Sequence, residues 1–139
     1  MLLDSYGRWL GTELCPRDGS PEQQARRLFD APFAVVSHDT RPDPLLNYGN
    51  RAVLTLWELD WGRLVVTPSR LTAEPEQREE RRRMLERVSR EGFGTGYSGV
   101  RVSSSGRRFR ILDGTLWNLV DAEGTLRGQA ATFAHWEYL

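Results

Sequence analysis

The sequence predicts an α+β domain: a five-stranded antiparallel sheet with short helices on one face and a further helix at the N-terminus. Three observations lead to this prediction. Two short strand-like segments come early in the chain, several helical segments follow them, and three longer strand-like segments end it. Because consecutive strands usually pair, the last three form an antiparallel meander, and the helices gather on one face to bury their apolar sides.

The N-terminal helix is predicted from an apolar stripe whose members recur at helical spacing, namely Leu2, Leu3, Tyr6, Trp9 and Leu10. An amphipathic helix must bury such a stripe. We expect this one to cover the outer face of the sheet or to pair two copies of the chain. On this basis residues 1–19 form a helical extension and residues 20–139 form the domain proper.

Further helices are predicted from their capping residues. Ser20 can cap the second helix, where Pro21 suits the first position and Gln23 can complete a capping box. Asn50 can cap a third helix. Residues 75–91 form a charged helix with a thin apolar stripe.

Five segments are predicted as strands. Residues 33–37 are a short apolar run, and residues 45–48 follow it after a turn-rich connection. The three final strands cover residues 97–103, 107–120 and 126–136, with glycine-containing turns between them.

The register of the first final hairpin depends on the length of its turn. A two-residue turn at residues 105–106 sets Val102 opposite Phe109, and the same face continues to Trp117. A turn that is longer by one residue would place Arg101 on that face instead. The sequence leaves both registers open.

The composition is that of an ordinary globular domain and excludes several classes of protein. The 139 residues suit one domain. The 19 basic and 19 acidic residues balance, so the chain lacks the basic excess typical of nucleic-acid binding. A single cysteine excludes an internal disulfide and a cysteine metal site. With no signal peptide and no apolar run long enough to span a membrane, the protein is expected to be cytoplasmic.

Two local features match the order of elements in PAS domains. Residues 46–50 run from a strand into a capped helix, like the early strand-to-helix junction of that fold. The turns at residues 105–107 and 121–124 resemble the two turns of its final meander.

Six segments that span most of the chain carry a closer resemblance: Leu46-Asn47-Tyr48-Gly49-Asn50, Leu56-Trp57-Glu58-Leu59, Pro68-Ser69-Arg70-Leu71-Thr72-Ala73-Glu74, Tyr97-Ser98-Gly99-Val100-Arg101, Ser104-Ser105-Gly106-Arg107-Arg108-Phe109 and Gly128-Gln129-Ala130-Ala131. They resemble the MEKHLA domain family, a PAS-related family found as small stand-alone bacterial proteins and at the C-terminus of plant class III homeodomain-leucine zipper proteins. The resemblance implies a PAS-like fold and a sensory, signalling role. It supplies no catalytic residues, and we expect no enzyme and no metal site.

A pocket is expected between the inner face of the sheet and the short helices, where it would bind a small and largely apolar ligand. The candidate lining residues on facing elements are Trp57, Phe109, Ile111 and Trp117. Those on the last strand, implied by comparison with PAS domains, are Gln129, Ala131 and Phe133. The last strand is also rich in small residues, which predicts free space beside it.

The favoured function is therefore a sensory domain that binds a ligand and signals through contacts with a second copy or a separate partner protein. The alternative is a ligand-free dimerisation or interaction module with a filled core. A small enzyme is least favoured. A catalytic set of Ser103, Ser104 or Ser105 with a histidine and Asp113 can be assembled, but serines in a hairpin turn usually serve the turn itself.

The cofactor is left unknown, and haem and a flavin adduct are both disfavoured. His38 lies in a turn at a strand end and His135 lies near the C-terminus, positions typical of structural histidines. Light-sensing PAS domains use a cysteine in the middle helices, inside an Asn-Cys-Arg motif. Here the one cysteine, Cys15, precedes the domain proper.

Overall fold

The computed structural model describes residues 1–139 as a twisted sheet with helices on both faces. The helices are α1 (Leu2–Leu10), α2 (Pro21–Phe29), α3 (Arg51–Trp57), α4 (Trp61–Leu64) and α5 (Pro75–Glu91), with a 3-10 turn at Ser69–Thr72. The strands are β1 (Ala34–His38), β2 (Leu46–Gly49), β3 (Phe93–Val102), β4 (Arg108–Val120), β5 (Leu126–Phe133) and β6 (His135–Tyr138). None of the helices has the length and apolar character needed to cross a bilayer.

The sheet is antiparallel throughout, with the order β2-β1-β5-β4-β3. The α+β prediction is confirmed, with one difference in strand number and one in helix placement, since α2 packs on the outer face beside α1. The predicted last strand over residues 126–136 is two strands, because β5 pairs with residues 115–120 of β4 whereas β6 pairs with residues 109–112. The break between them falls at Ala134.

Each face of the sheet carries its own core. The inner face lies under α3, α4 and α5, and its buried residues include Trp57, Leu64 and Ile111 in one cluster and Met84 in another. The outer face lies under α1 and α2, and Val35 belongs to its core. The predicted N-terminal helix therefore covers the outer face, as one of the two expected arrangements requires.

The predicted capping residues act as caps. The Ser20 hydroxyl accepts a hydrogen bond from the backbone N–H of Gln23, and the Gln23 side chain accepts one from the backbone N–H of Ser20. The Asn50 side chain accepts a hydrogen bond from the backbone N–H of Val53 at the start of α3. Helix α5 has the predicted bounds, beginning at Pro75 and ending at Glu91.

The β3–β4 hairpin has the longer of the two turns. The backbone N–H of Ser103 donates to the carbonyl oxygen of Arg107 at 2.9 Å, and Gly106 takes a positive φ of 89° in the three-residue loop between them. Arg101 therefore pairs with Phe109. The register with Val102 opposite Phe109 is wrong, because it assumes a two-residue turn.

A bulge in β4 reverses the faces of its second half. Asp113 has a φ of 52°, in the left-handed region that non-glycine residues seldom occupy, and the register with β3 shifts beside it. Ile111 and Leu116 thus both pack on the inner face, although strict alternation would separate them. Trp117 lies in the outer core. Its predicted inner position is wrong, since the extra residue moves it to the opposite face.

Candidate functional site

A small cavity of about 60 Å³ lies between the inner face of the sheet and α5. Four of the seven predicted ligand-binding residues line it: Ile111, Gln129, Ala131 and Phe133. They come from two neighbouring strands, β4 and β5. The three β5 residues thus point toward the inner face, as expected.

The other three predicted residues do not line this cavity. Trp57 and Phe109 pack against each other, with ring centroids 4.9 Å apart at an interplanar angle of 82°. The Trp57 ring also contacts Phe133 edge-on at 6.1 Å. These aromatic side chains fill the space under α3 and leave no room for a ligand there. Trp117 lies outside this region because of the β4 bulge.

The small side chains of β5 at Ala131, Ala130 and Gly128 each have a different structural explanation. Only Ala131 faces both the cavity and the α5 cluster. Ala130 is part of the outer core beside Trp117. At Gly128, an added Cβ would collide with the carbonyl oxygen of His38, so the close approach of β1 requires glycine there. Free space accounts for one of these residues and not for the whole run.

The cavity also contains a buried cationic side chain. Arg101 on β3 is only 5% exposed. Its guanidinium donates to the Tyr97 hydroxyl at 2.6 Å and to the carbonyl oxygen of Val100 at 2.8 Å, and it lies over the Tyr97 ring. No carboxylate is within 4.0 Å of it. Its positive charge therefore has no negative partner inside the protein.

A second arginine reaches the same cavity from α5. Arg81 donates a hydrogen bond to the buried Ser69 hydroxyl and forms no salt bridge. Burial, together with the nearby charge of Arg101, lowers the pKa of Arg81 to about 10. The two guanidinium charges therefore repel each other across the cavity, whose wall is mostly apolar.

His38, at the end of β1, brings a polar atom without a partner. It is 9% exposed, and its Nδ1 donates to the carbonyl oxygen of Asp39 at 2.9 Å, which leaves Nε2 buried with no hydrogen bond. Burial lowers the pKa of His38, as does the charge of Arg81, although the bond to Asp39 opposes this. The cavity therefore holds a neutral imidazole beside two arginines.

The mouth of the cavity opens toward solvent. His38, Arg81 and Gln129 line both the cavity and an adjoining groove of about 510 Å³. The Gln129 amide is held by bonds from its Nε2 to the carbonyl oxygen of Leu85 at 2.9 Å and to Asn118 Oδ1 at 3.1 Å. These three polar side chains therefore form the entrance.

Sequence reasoning missed Arg81, Arg101 and the inward position of His38. Arg81 begins an arginine run flanked by glutamates, which is typical of a solvated helix face. Arg81 lies three residues before Met84, which belongs to the thin apolar stripe of this helix, so the two side chains share one helix face. This spacing could have indicated that Arg81 faces the core, unlike Arg82 and Arg83. Arg101 was expected on the inner face only in the register with the longer turn, and it was not proposed as a lining residue.

A flavin or a haem does not fit this cavity. Sites for cofactors of that size measure roughly 300–1,000 Å³, against about 60 Å³ here. The one thiol, Cys15, lies in the outer core on the other side of the sheet, so it cannot reach a ring bound inside. No three His, Cys, Asp or Glu side chains are grouped so as to hold a metal ion.

The turn serines bond one carboxylate and no histidine. Ser103 and Ser105 both donate to Glu58 Oε2, the former at 2.6 Å, and Ser104 donates to the Glu58 carbonyl oxygen at 2.7 Å. These bonds lower the pKa of Glu58. They attach the hairpin to the end of α3, which gives the serines a structural role.

A second, more open depression crosses the outer face. It measures about 910 Å³ and runs between α1, α2 and β2. Its wall includes Leu3, Phe29, Tyr48 and Trp61, the last of which is 47% exposed. Such a surface suits a protein contact better than a small molecule, since it encloses little.

Comparisons with known proteins agree on the fold and on the family. The sequence model of the MEKHLA domain matches residues 1–138. The chain is 26% identical over 148 residues to the homeobox-leucine zipper protein REVOLUTA of Arabidopsis thaliana, a match that covers 99% of this chain and 17% of that protein. The chain thus corresponds to a small part of that relative.

Solved structures show the same fold at low identity. A PAS domain from Colwellia psychrerythraea superposes with a TM-score of 0.68 at 16% identity, covering 80% of this chain and 92% of that one. An RNA-binding light-oxygen-voltage receptor gives 0.68 at 20% identity, covering 86% and 34% respectively. A light-oxygen-voltage domain studied with a flavin analogue gives 0.65 at 18%, covering 84% of each. With the fold shared across these structures and the family model spanning the chain, this protein is a PAS-fold member of the MEKHLA domain family.

Proposed function

We propose that the domain senses a small ligand in the inner cavity and passes the change to a partner protein through its outer face. The observation that carries this proposal is the cavity itself, which lies where α5 crosses the sheet and has an entrance of three polar side chains. The fold and the family support a sensory, regulatory domain. The ligand and the partner are the parts that we propose.

The β4 bulge offers a physical route between the two faces. Leu116 packs in the inner cluster next to Ala131, and the adjacent Trp117 is fully buried in the outer core. The Tyr6 ring of α1 meets the Trp117 ring edge-on at 5.0 Å. A ligand that shifts Leu116 would therefore displace Trp117 and, through it, α1.

We propose no catalytic activity for this domain. The serines of the hairpin turn bond Glu58, and none of them lines the cavity that the unpaired nitrogen of His38 faces. We place the protein in the cytoplasm, to which a single free thiol is suited. RNA binding, named for one structural relative, is not transferred, since the net charge here is zero.

The experiment that tests this function combines native mass spectrometry with hydrogen exchange. The freshly purified chain is expected to carry a small molecule, or to bind one from a metabolite panel. Ligand binding is expected to slow amide exchange in β4 and β5 and to change it in α1. Exchange that changes around the cavity alone would contradict the route to the outer face.

The alternative is a ligand-free interaction module. It is favoured by the outer depression of about 910 Å³ with its exposed Trp61. In that case, no ligand is found, and Trp61→Ala weakens self-association or partner binding. Leu126→Ala, another exposed apolar residue that lies outside the depression, is the matched control.

A further inference from the structure

We infer that the inner cavity binds the carboxylate group of a small organic acid between Arg81 and Arg101. This inference rests on the proposed sensing function and narrows its ligand, which the sequence predicted only as small and largely apolar. Three independent features of the cavity support it: two cations without counter-charges, an unpaired imidazole nitrogen, and an apolar wall opposite them.

The two arginines have unused hydrogen-bonding capacity as well as unpaired charge. A guanidinium carries five N–H donors, and within the protein Arg81 uses one and Arg101 uses two. Arg101 is buried and Arg81 is half-buried, and taking such a charge out of water is costly unless it is paired. A carboxylate is the natural partner, because its two oxygens accept charge-assisted bonds from guanidinium groups.

The acidic side chains of the adjoining groove do not supply this charge. Asp43 pairs with Arg70 at 3.2 Å, and Glu79 and Glu86 pair with Arg82 at 2.6 and 2.5 Å. Each of these carboxylates is thus already engaged at the surface. The two cavity arginines stay without a partner, whereas the exposed Arg82, next to Arg81 on α5, is neutralised.

His38 completes the polar side of the site. Its Nε2 is buried at the entrance and has no bond within the protein. In the neutral ring this atom accepts a hydrogen bond, because the proton is on Nδ1. It can therefore accept from a hydroxyl on the ligand, or take up a proton and donate to the carboxylate.

The rest of the wall sets the class and size of the acid. Met84, Ile111, Leu116 and Phe133 are apolar, so an organic chain is preferred to an inorganic anion. A cavity of about 60 Å³ exceeds the roughly 10–15 Å³ that a single water needs and is far smaller than the roughly 300–1,000 Å³ of pockets for larger ligands. We therefore expect short acids, from acetate to butyrate, with or without a hydroxyl.

The experiment is a calorimetric titration of the full chain with straight-chain acids from acetate to hexanoate, each beside its uncharged amide. We expect binding of the short acids and a decline by hexanoate. The amides should bind about tenfold to a hundredfold more weakly, since they lose the charge-assisted bonds. This comparison uses the unaltered protein, so its result does not depend on the folding of any variant.

Two variants then test whether the acid binds at the two cavity arginines. Arg101→Gln and Arg81→Gln should each weaken binding of butyrate by about tenfold or more. Arg87→Gln is the matched control, because Arg87 is an exposed residue of α5 without a salt bridge, and it should leave binding unchanged.

Each contrary result has a distinct meaning. Equal binding of acids and amides, or of butyrate by native and Arg101→Gln chains, would overturn the anion site while leaving the sensing function in place. Inorganic phosphate binding as tightly as butyrate would overturn the choice of an organic acid. Absence of binding by every acid and amide, with no molecule bound to the fresh protein, would overturn both proposals.

Discussion

Replacement of Asn50 by alanine should destabilise the domain severely, although the residue does not line the proposed ligand cavity. Asn50 is fully buried, and its Oδ1 accepts hydrogen bonds from the backbone N–H groups of Val35 at 3.1 Å and Val53 at 3.3 Å. Its Nδ2 donates to the carbonyl oxygens of Leu28 at 3.1 Å and Phe33 at 2.8 Å. One side chain thus joins α2, β1 and α3.

The magnitude follows from these four bonds. Each is worth about 0.5–1.5 kcal/mol, and a buried partner left unpaired costs as much or more. Asn50→Ala should therefore lower the free energy of unfolding by about 2–6 kcal/mol. Typical domains have about 5–15 kcal/mol in total, so this loss is a large part of the whole. Asn50→Asp should cost at least as much, because it sets a carboxylate oxygen against two carbonyl oxygens.

Urea unfolding followed by tryptophan fluorescence measures this loss by linear extrapolation. The control is Asn47→Ala, since Asn47 is exposed and its Oδ1 accepts a single bond, from the Ser37 hydroxyl at 2.6 Å. This variant should lose about 1 kcal/mol. If Asn50→Ala lost no more than the control, the argument that Asn50 joins the three elements would be refuted.

Four further predictions follow from the two faces of the sheet. Ala131→Trp should overfill the inner cavity and cost roughly 1–3 kcal/mol in urea unfolding, whereas Ala131→Val should change stability by less than about 1.5 kcal/mol; equal losses would contradict a cavity of this size. Because the pKa of His38 is lowered from 6.5, only the unfolded chain takes up its proton just below that pH. Stability should therefore fall as the pH drops below 6.5, and less so in His38→Gln; parallel curves would exclude this cause. Deleting residues 1–14 should expose Trp117 and increase dye binding or self-association, and an unchanged sedimentation and dye profile would argue against α1 as the cover. The purified protein should absorb only in the ultraviolet, and stoichiometric visible colour would contradict the poor fit of haem and flavin.

The helices could be predicted closely because their signals are local. The capping box of Ser20 and Gln23 and the proline at residue 21 lie within one turn of α2, and the structure starts the helix there. Asn50 likewise fixes the start of α3 within a few residues of sequence. A cap needs no information from the rest of the chain, so the sequence pattern is sufficient.

The faces of the strands could not be predicted in the same way, because side-chain alternation carries any local error along the strand. One additional residue in the β3–β4 turn exchanges Val102 for Arg101 opposite Phe109. The left-handed Asp113 then reverses the second half of β4 and takes Trp117 to the outer face. Both features depend on backbone geometry that several sequences can adopt, and each shifts every later residue by one.

The two unpaired arginines of the proposed site could not be predicted from the sequence for a related reason. A net charge of zero describes the whole chain, whereas binding depends on which charges are left unpaired where water is scarce. Near Arg81, Glu79 pairs with Arg82 and Arg83, and Glu86 pairs with Arg82, and both of these arginines are exposed. Arg81 itself turns under α5 toward Arg101. A sequence with equal numbers of acidic and basic residues can therefore fold with unpaired positive charge inside. The register of β3 decides whether Arg101 or its uncharged neighbour Val102 faces the cavity.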